Sequence, residues 1–340
     1  MAPTGRKPRV FAGIDVSAKE LVVALVRNKA EVRRMTFENS PAGHKHLVRA
    51  LTFKGGTSRV VLEATGNFHL DPALVLSAEP TVELMVVNPL AARRFAQAQM
   101  RRAKTDKVDA LVLLEFAQCM PWERWMPPPE AALELRAVTR HLANLTVQQT
   151  ALKNQLAAAR ATSITPAYVI QDIQAQLEVM AQRIEACQGE ALRVVRASPD
   201  LTKDLESLTS MPGIADRAGV QILGELSVLA RDMSPDEVVA RSGLDPRPKQ
   251  SGSSNPQRKI SKMGNSRLRG ALYMSAVTAA RCNPAVSAWY SILTGKGKLP
   301  HVAHVAVMRR LLRVAWVLMI RRTTWVDDLF RPREPVPKIA

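Results

Sequence analysis

Val10–Val16 reads VFAGIDV, a run of β-formers closing on an acid, Asp15, and Leu21–Val26 (LVVALV) follows it at hairpin distance. Two apolar runs this close predict a pair of strands joined by a short turn. Working outward, Ser40–Leu51 opens with a capping serine and Pro41, which predicts a helix. Arg59–Glu63 (RVVLE) is a further strand, again ending on an acid, and Val82–Val87 (VELMVV) is another, closed by Asn88 and Pro89. After a basic stretch, Asp106–Met120 reads as a helix. The alternation of strands and helices predicts an α/β domain built on a mixed sheet.

Beyond residue 130 the pattern changes. Leu135, Val138, Leu142, Leu145, Leu152 and Leu156 keep heptad spacing, interrupted by Gln149. After Thr165 and Pro166, a second series runs from Val169 through Ile173, Leu177, Met180, Ile184, Cys187 and Ala191 to Val194 in steps of 4-4-3-4-3-4-3 residues. Two long helices joined at a Ser/Thr/Pro tip predict an antiparallel hairpin or a dimerising coiled coil. Leu208–Glu225 then reads as a helix, a Pro-Gly turn and a helix, resembling a helix-hairpin-helix whose turn amides can hold a phosphate. Ala240–Lys262 is rich in Gly, Ser and Pro. Arg267–Arg281 and His304–Arg322 are apolar helices with basic faces. The expected division is a mixed-sheet domain over 8–128, a helical hairpin over 129–198, a mostly helical domain over 199–330 and a mobile tail over 331–340.

Charge narrows the function. The 340 residues carry 48 Lys and Arg against 30 Asp and Glu, a net +18, with a sequence pI near 10.4. Between Arg241 and Trp325 stand eleven Arg and five Lys against one acid, Asp245, so +15 of that excess lies in one region. Such a field calls for a polyanion and argues against a small-molecule metabolic enzyme. Cys119, Cys187 and Cys282 are few, odd in number and far apart, so neither a disulfide framework nor a cysteine zinc site is expected. MAPTGRKPRV is basic with no apolar core behind it, and no run reaches the length of a membrane span. A cytoplasmic protein with no membrane partner is expected, and nucleic acid is the favoured ligand.

Four acids stand where a metal site can be assembled. Asp15 and Glu63 end two strands, while Asp106 and Asp109 share one face of a helix's first turn. Taken singly, each is an ordinary strand-end carboxylate or a helix-start acid favoured by the dipole. Taken together, an all-oxygen set suits Mg²⁺ or Mn²⁺, and four acids can share two ions. The segments GIDVSAKEL, VVLEATGNFHL, VVNP and AKTDKVDA, in this order, resemble the RNase H-like (RuvC-like) domain of the DEDD insertion-sequence recombinases. PGI at Pro212–Ile214 and the run from Gly243 through GLDPRPKQSGSSNPQRKISKMGNSRLRGALYMSA are similar to that family's C-terminal transposase domain. The resemblance covers most of the chain and implies that Asp15, Glu63, Asp106 and Asp109 are the Mg²⁺ ligands.

In KQSGSSN (Lys249–Asn255) a serine sits among Arg247, Lys249, Arg258 and Lys259. A serine beside glycine is ordinarily a turn residue. The resemblance implies instead a nucleophile that forms a covalent phosphoserine with DNA, and the ungapped match places it at Ser251, with Ser253 and Ser254 as rivals in the same loop. Arg247, Lys249, Arg258, Lys259, Lys262, Arg267 and Arg269 are the expected nucleic-acid contacts. His301 and His304 read as core or phosphate contacts, and His44, His46 and His69 receive no role. The resemblance further implies a site-specific transposase of a bacterial mobile element. It would act on donor and target DNA at the nucleoid, be guided by a structured bridge RNA, and work as a dimer or tetramer with sites shared between subunits. Two other classes use the same features. A RuvC-like junction-resolving nuclease would use the acids with water as nucleophile, and a non-catalytic binding protein would use only the basic region.

Overall fold

In the computed structural model, residues 8–28, 30–52, 56–99, 106–247 and 259–330 are described, with 106–108 and 247 as backbone alone. The chain forms two compact units, one through Pro127 and the other from Pro128. Among the described residues, no helix is long and apolar enough to cross a membrane.

The first unit is a mixed five-stranded sheet of order β3-β2-β1-β4-β5, made by β1 (Val10–Val16), β2 (Glu20–Arg27), β3 (Arg33–Glu38), β4 (Ser58–Glu63) and β5 (Val82–Val87). β1 pairs antiparallel with β2, and β2 with β3, while β1, β4 and β5 run parallel. This mixed sheet is compatible with an RNase H-like domain. The period-two alternation assigns each strand two buried faces. Ala12, Ile14, Val16, Leu21, Val23, Val60, Leu62 and Leu84 bury one face against α1 (Pro41–Leu51) and α2 (Leu70–Ser77). Ser40 caps α1 as expected, accepting from Gly43 N at 3.2 Å.

The other face carries α3 (Pro89–Ala98) and α4 (Asp106–Cys119). Val61, Met85 and Val87 pack on Leu113, Phe116 and Ala117, while Ala24 and Val26 pack on Ala110 and Leu114. Gly13 makes this possible. A Cβ there would stand 2.1 Å from Leu114 N and 2.3 Å from Ala110 O, so the α4 backbone rests directly on β1. Gly13→Ala is therefore expected to destabilise the unit by about 3 kcal/mol or more, since neither backbone can yield cheaply. A denaturant titration with an unchanged midpoint would contradict this close approach.

The second unit is helical. α5 (Glu130–Arg160) and α6 (Ala167–Ala197) lie antiparallel: Arg193 pairs with Glu134 at 3.0 Å, and Cys187 Sγ meets Val138 O at 3.5 Å. Leu142, Leu145, Met180 and Ile184 fill their seam. The base of this hairpin joins a larger core with α7 (Pro199–Thr209), α8 (Asp216–Leu226), α9 (Pro235–Ser242), α10 (Ser266–Cys282), α11 (Pro284–Gly295) and α12 (Pro300–Arg321), centred on Leu208, Leu223, Leu272, Leu311 and Trp316. A short pair, β6 (Pro246–Arg247) and β7 (Lys259–Ile260), projects from it.

Candidate functional site

Two acids of the first unit, Asp15 and Glu63, stand at one end of the sheet. Ile14 is registered with Leu62 on the parallel neighbour, so Asp15 and Glu63 come next on adjacent strands at their C-terminal ends. Alternation puts Asp15 on the face of Phe11 and Gly13, and Glu63 on the face of Val61, which is the face covered by α4. Gly13 meets Ala110–Leu114, so α4, with Asp109 one residue before Ala110, lies over β1 on this face. Asp15 and Glu63 are both half-buried, and Thr65 Oγ1 donates to Glu63 Oε1 at 3.4 Å. Among the described residues, no three metal-ligating side chains close into one cluster; Asp106 is described as backbone alone.

Around this edge stands a network that sequence reading missed. The Ser17 hydroxyl donates to Glu20 O and accepts from Glu20 N, both at 3.0 Å, closing the turn just after Asp15. Asn39 Nδ2 donates to Ser17 O at 2.9 Å and to Phe68 O at 3.2 Å, tying that turn to the loop after Glu63. His44 Nε2 meets Asn39 Oδ1 at 2.7 Å. With the Asn39 amide nitrogen committed to two carbonyls, its oxygen faces the ring and Nε2 carries the proton. Burial lowers the His44 pKa, partly opposed by the Asp71 charge. His44, given no role from the sequence, is thus a buried buttress of the acidic edge.

In the second unit the described part of the basic region frames a hairpin stem. Pro246 pairs with Ile260 and Arg247 with Lys259. The ladder continues downward: Ser261 N donates to Asp245 O at 2.9 Å, Lys262 N to Gly243 O at 3.0 Å and Asn265 N to Arg241 O at 2.9 Å. The Ser261 hydroxyl donates to the Asp245 carboxylate, so the lone acid of this stretch closes the stem. Lys249, Ser251, Ser253, Ser254 and Arg258 lie outside the described residues. Lys259, Lys262 and Arg267 are exposed. Arg269 Nη1 donates to Ser242 O at 2.7 Å and Gly264 O at 3.1 Å, so part of its guanidinium holds the turn. His304 lies between Tyr290 and Tyr273, with ring centroids at 4.7 and 6.2 Å.

Below the stem, Glu225 is 4% exposed and takes two hydrogen bonds from Arg140, at 2.8 and 2.9 Å, and one from Asn265 Nδ2 at 2.7 Å. Burial pushes Glu225 up, but the bonds from Arg140 and Asn265 and the Arg140 and Arg136 charges outweigh it and hold its carboxyl below the ordinary range. Removing one partner of a buried pair like this costs about 3–5 kcal/mol.

Two acids on adjacent strand ends and a basic helical unit fit a protein that acts on nucleic acid, and comparison with known proteins specifies which. Residues 12–160 match a transposase family model of the DEDD, IS110 type, and residues 205–291 match the Transposase IS116/IS110/IS902 family. The chain belongs to this transposase family and is an enzyme of DNA strand breakage and rejoining. It is 24% identical over 320 residues to the Pilin gene-inverting protein of Moraxella bovis, covering 92% of this chain and 96% of that one, and equally to its counterpart in Moraxella lacunata. It is 30% identical over 118 residues to the Insertion element IS900 uncharacterized 42 kDa protein of Mycobacterium paratuberculosis, 34% of this chain and 29% of that one. The DEDD family implies DNA as partner and a divalent metal ion as cofactor.

Proposed function

We propose that the chain cuts and rejoins donor and target DNA of an insertion sequence through a covalent ester at Ser251. Asp15, Glu63, Asp106 and Asp109 would hold Mg²⁺ or Mn²⁺ in an RNase H-like domain. The observation that carries this reading is the placement of Asp15 and Glu63 on neighbouring parallel strand ends, under a helix drawn onto the same face by Gly13. An all-carboxylate donor set suits a hard divalent cation, which would neutralise charge developing on the reacting phosphate. The three-part division at 8–128, 129–198 and 199–330 belongs to the same reading, with α5 and α6 as a coiled-coil arm and α7–α8 as a helix-hairpin-helix.

In the reaction, the Ser251 oxygen bonds to phosphorus as a backbone P–O bond breaks. The serine proton passes to a base and the freed strand end leaves as a hydroxyl after taking up a proton. The reverse step, with the hydroxyl of an incoming strand, releases the serine and restores the phosphodiester. No water is consumed, so bond energy is conserved between strands. The cations at Arg247, Lys249, Arg258, Lys259, Lys262, Arg267 and Arg269 would hold phosphates of DNA and of a guiding bridge RNA in the bacterial cytoplasm. Two or four copies would bring the serine of one subunit to the acids of another.

Labelled DNA incubated with protein, RNA and Mg²⁺ and then denatured tests this reading. A protein–DNA adduct is expected; free cut ends without an adduct would favour a hydrolytic nuclease, and intact DNA a binding protein. Binding should also be steeply salt-dependent. If six to ten of the sixteen cations between Arg241 and Trp325 neutralise phosphates, affinity falls roughly 10³–10⁵-fold from 50 to 200 mM salt. A flat profile in a filter-binding titration contradicts the assignment of this charge.

A further inference from the structure

We infer that Arg140, Glu225 and Asn265 are positioning residues that fix the foot of the serine-bearing hairpin to the base of the α5–α6 arm, so that the seating of the arm sets where the loop is delivered. The inference rests on the serine reading above. Three elements meet at one buried carboxylate. Arg140 comes from α5, Glu225 from α8, and Asn265 from the start of α10 directly after the stem. The approach of α5 to α8 is close because a Cβ at Gly224 would stand 2.2 Å from Thr139 Oγ1, which sets Arg140 beside Glu225.

Asn265 serves both sides. Its Oδ1 accepts from Arg267 N at 3.0 Å and Leu268 N at 3.1 Å and caps α10, its backbone N–H holds Arg241 O, and its Nδ2 holds Glu225. From there the ladder through Gly243–Lys262 and Asp245–Ser261 climbs to the paired strands on either side of the loop. A continuous chain of hydrogen bonds therefore runs from the arm to the stem. Stability alone does not call for this arrangement, since apolar residues of similar volume replace a buried ion pair at no loss in many cores. A chemical step that tolerates little misplacement of its nucleophile does call for it.

The donor–acceptor pattern offers a test that separates positioning from folding. Asn265→Asp keeps the cap on α10, because aspartate accepts at that position as well as asparagine, but removes the donor and sets a carboxylate against Glu225. Asn265→Ser also retains the cap, but is too short to reach Glu225 and carries no like charge, so the Arg140–Glu225 pair stays whole. In a single-turnover adduct assay at saturating DNA, both variants are expected to be ten- to a hundredfold slower, with unchanged DNA affinity. If Asn265→Asp does not fold, Asn265→Ser alone carries the test. A wild type that cleaves without any serine adduct overturns the serine reading and this inference with it. An adduct formed by folded Asn265→Ser as fast as by the wild type overturns the positioning role alone.

Discussion

Asp15→Ala is expected to abolish strand exchange while leaving RNA and DNA binding nearly intact. Glu63→Ala and the pair Asp106→Ala/Asp109→Ala should behave alike. The reason lies in where these groups stand. Asp15 and Glu63 close adjacent parallel strands of the first unit, whereas the cation-rich stretch belongs to the second. A group that stabilises charge only as it develops on the phosphate affects the rate and hardly the affinity. Losing about 4 kcal/mol of that stabilisation slows the reaction on the order of 10³-fold. Chelation with EDTA should reproduce the loss, and Mn²⁺ as well as Mg²⁺ should restore it. Asp15→Asn, which keeps shape and removes charge, guards against a folding artefact. Wild-type recombination by Asp106→Ala/Asp109→Ala would sink the assignment.

The strands bearing these acids were legible because their runs are apolar on both faces. Val10–Val16 and Val82–Val87 have the bounds read from the sequence, and Arg59–Glu63 gains only Ser58. β3 was missed for the opposite reason: RRMTFE is an edge strand whose residues are all exposed or half-exposed, so it lacks an apolar run. The short helices α2, α3, α9 and α11 were missed as well, and three of them begin on a proline. Pro89, Pro235 and Pro284 sit in the first turn behind the caps Asn88, Ser234 and Asn283. Pro89, read as closing the strand before it, is a helix start, where its missing N–H costs nothing, and Pro235 and Pro284 act alike. The last helix begins at Pro300 rather than at His304, again with a proline in its first turn. The heptad leucines predicted two long helices, as an antiparallel hairpin or a dimerising coiled coil, and within the chain α5 and α6 meet along Leu142, Leu145, Met180 and Ile184. The Arg140–Glu225–Asn265 cluster left no such trace. Its members are 85 and 40 residues apart, and a buried carboxylate looks in sequence like any surface acid.

Ser251→Ala should keep RNA binding, DNA binding and assembly but lose the covalent adduct altogether. The argument begins with the stem. Asp245 and Ser261 close its lower end, Pro246–Arg247 and Lys259–Ile260 pair above them, and the QSGSSN segment is carried between these strands. Gly252 beside the serine frees the backbone for close approach to a phosphate. Arg247, Lys249, Arg258 and Lys259 flank it and would stabilise the charge as it develops. The acids belong to the other unit of the chain, and in the proposed reading a second subunit would bring them to the hydroxyl, where a positioned nucleophile has a high effective concentration. Removing one oxygen atom from Ser251 leaves the charge of the stretch unchanged, so the variant separates chemistry from electrostatic binding. Ser251→Cys should retain a trace of adduct, because a thiolate attacks phosphorus but its softer sulfur pairs poorly with Mg²⁺. Mass spectrometry of a trapped, nuclease-trimmed complex decides the position. A nucleotide mass on Ser251 is expected; the same mass on Ser253 or Ser254 moves the nucleophile within the loop. Cleaved DNA with no modified serine at all assigns the reaction to water, and with it the acids to a hydrolytic nuclease.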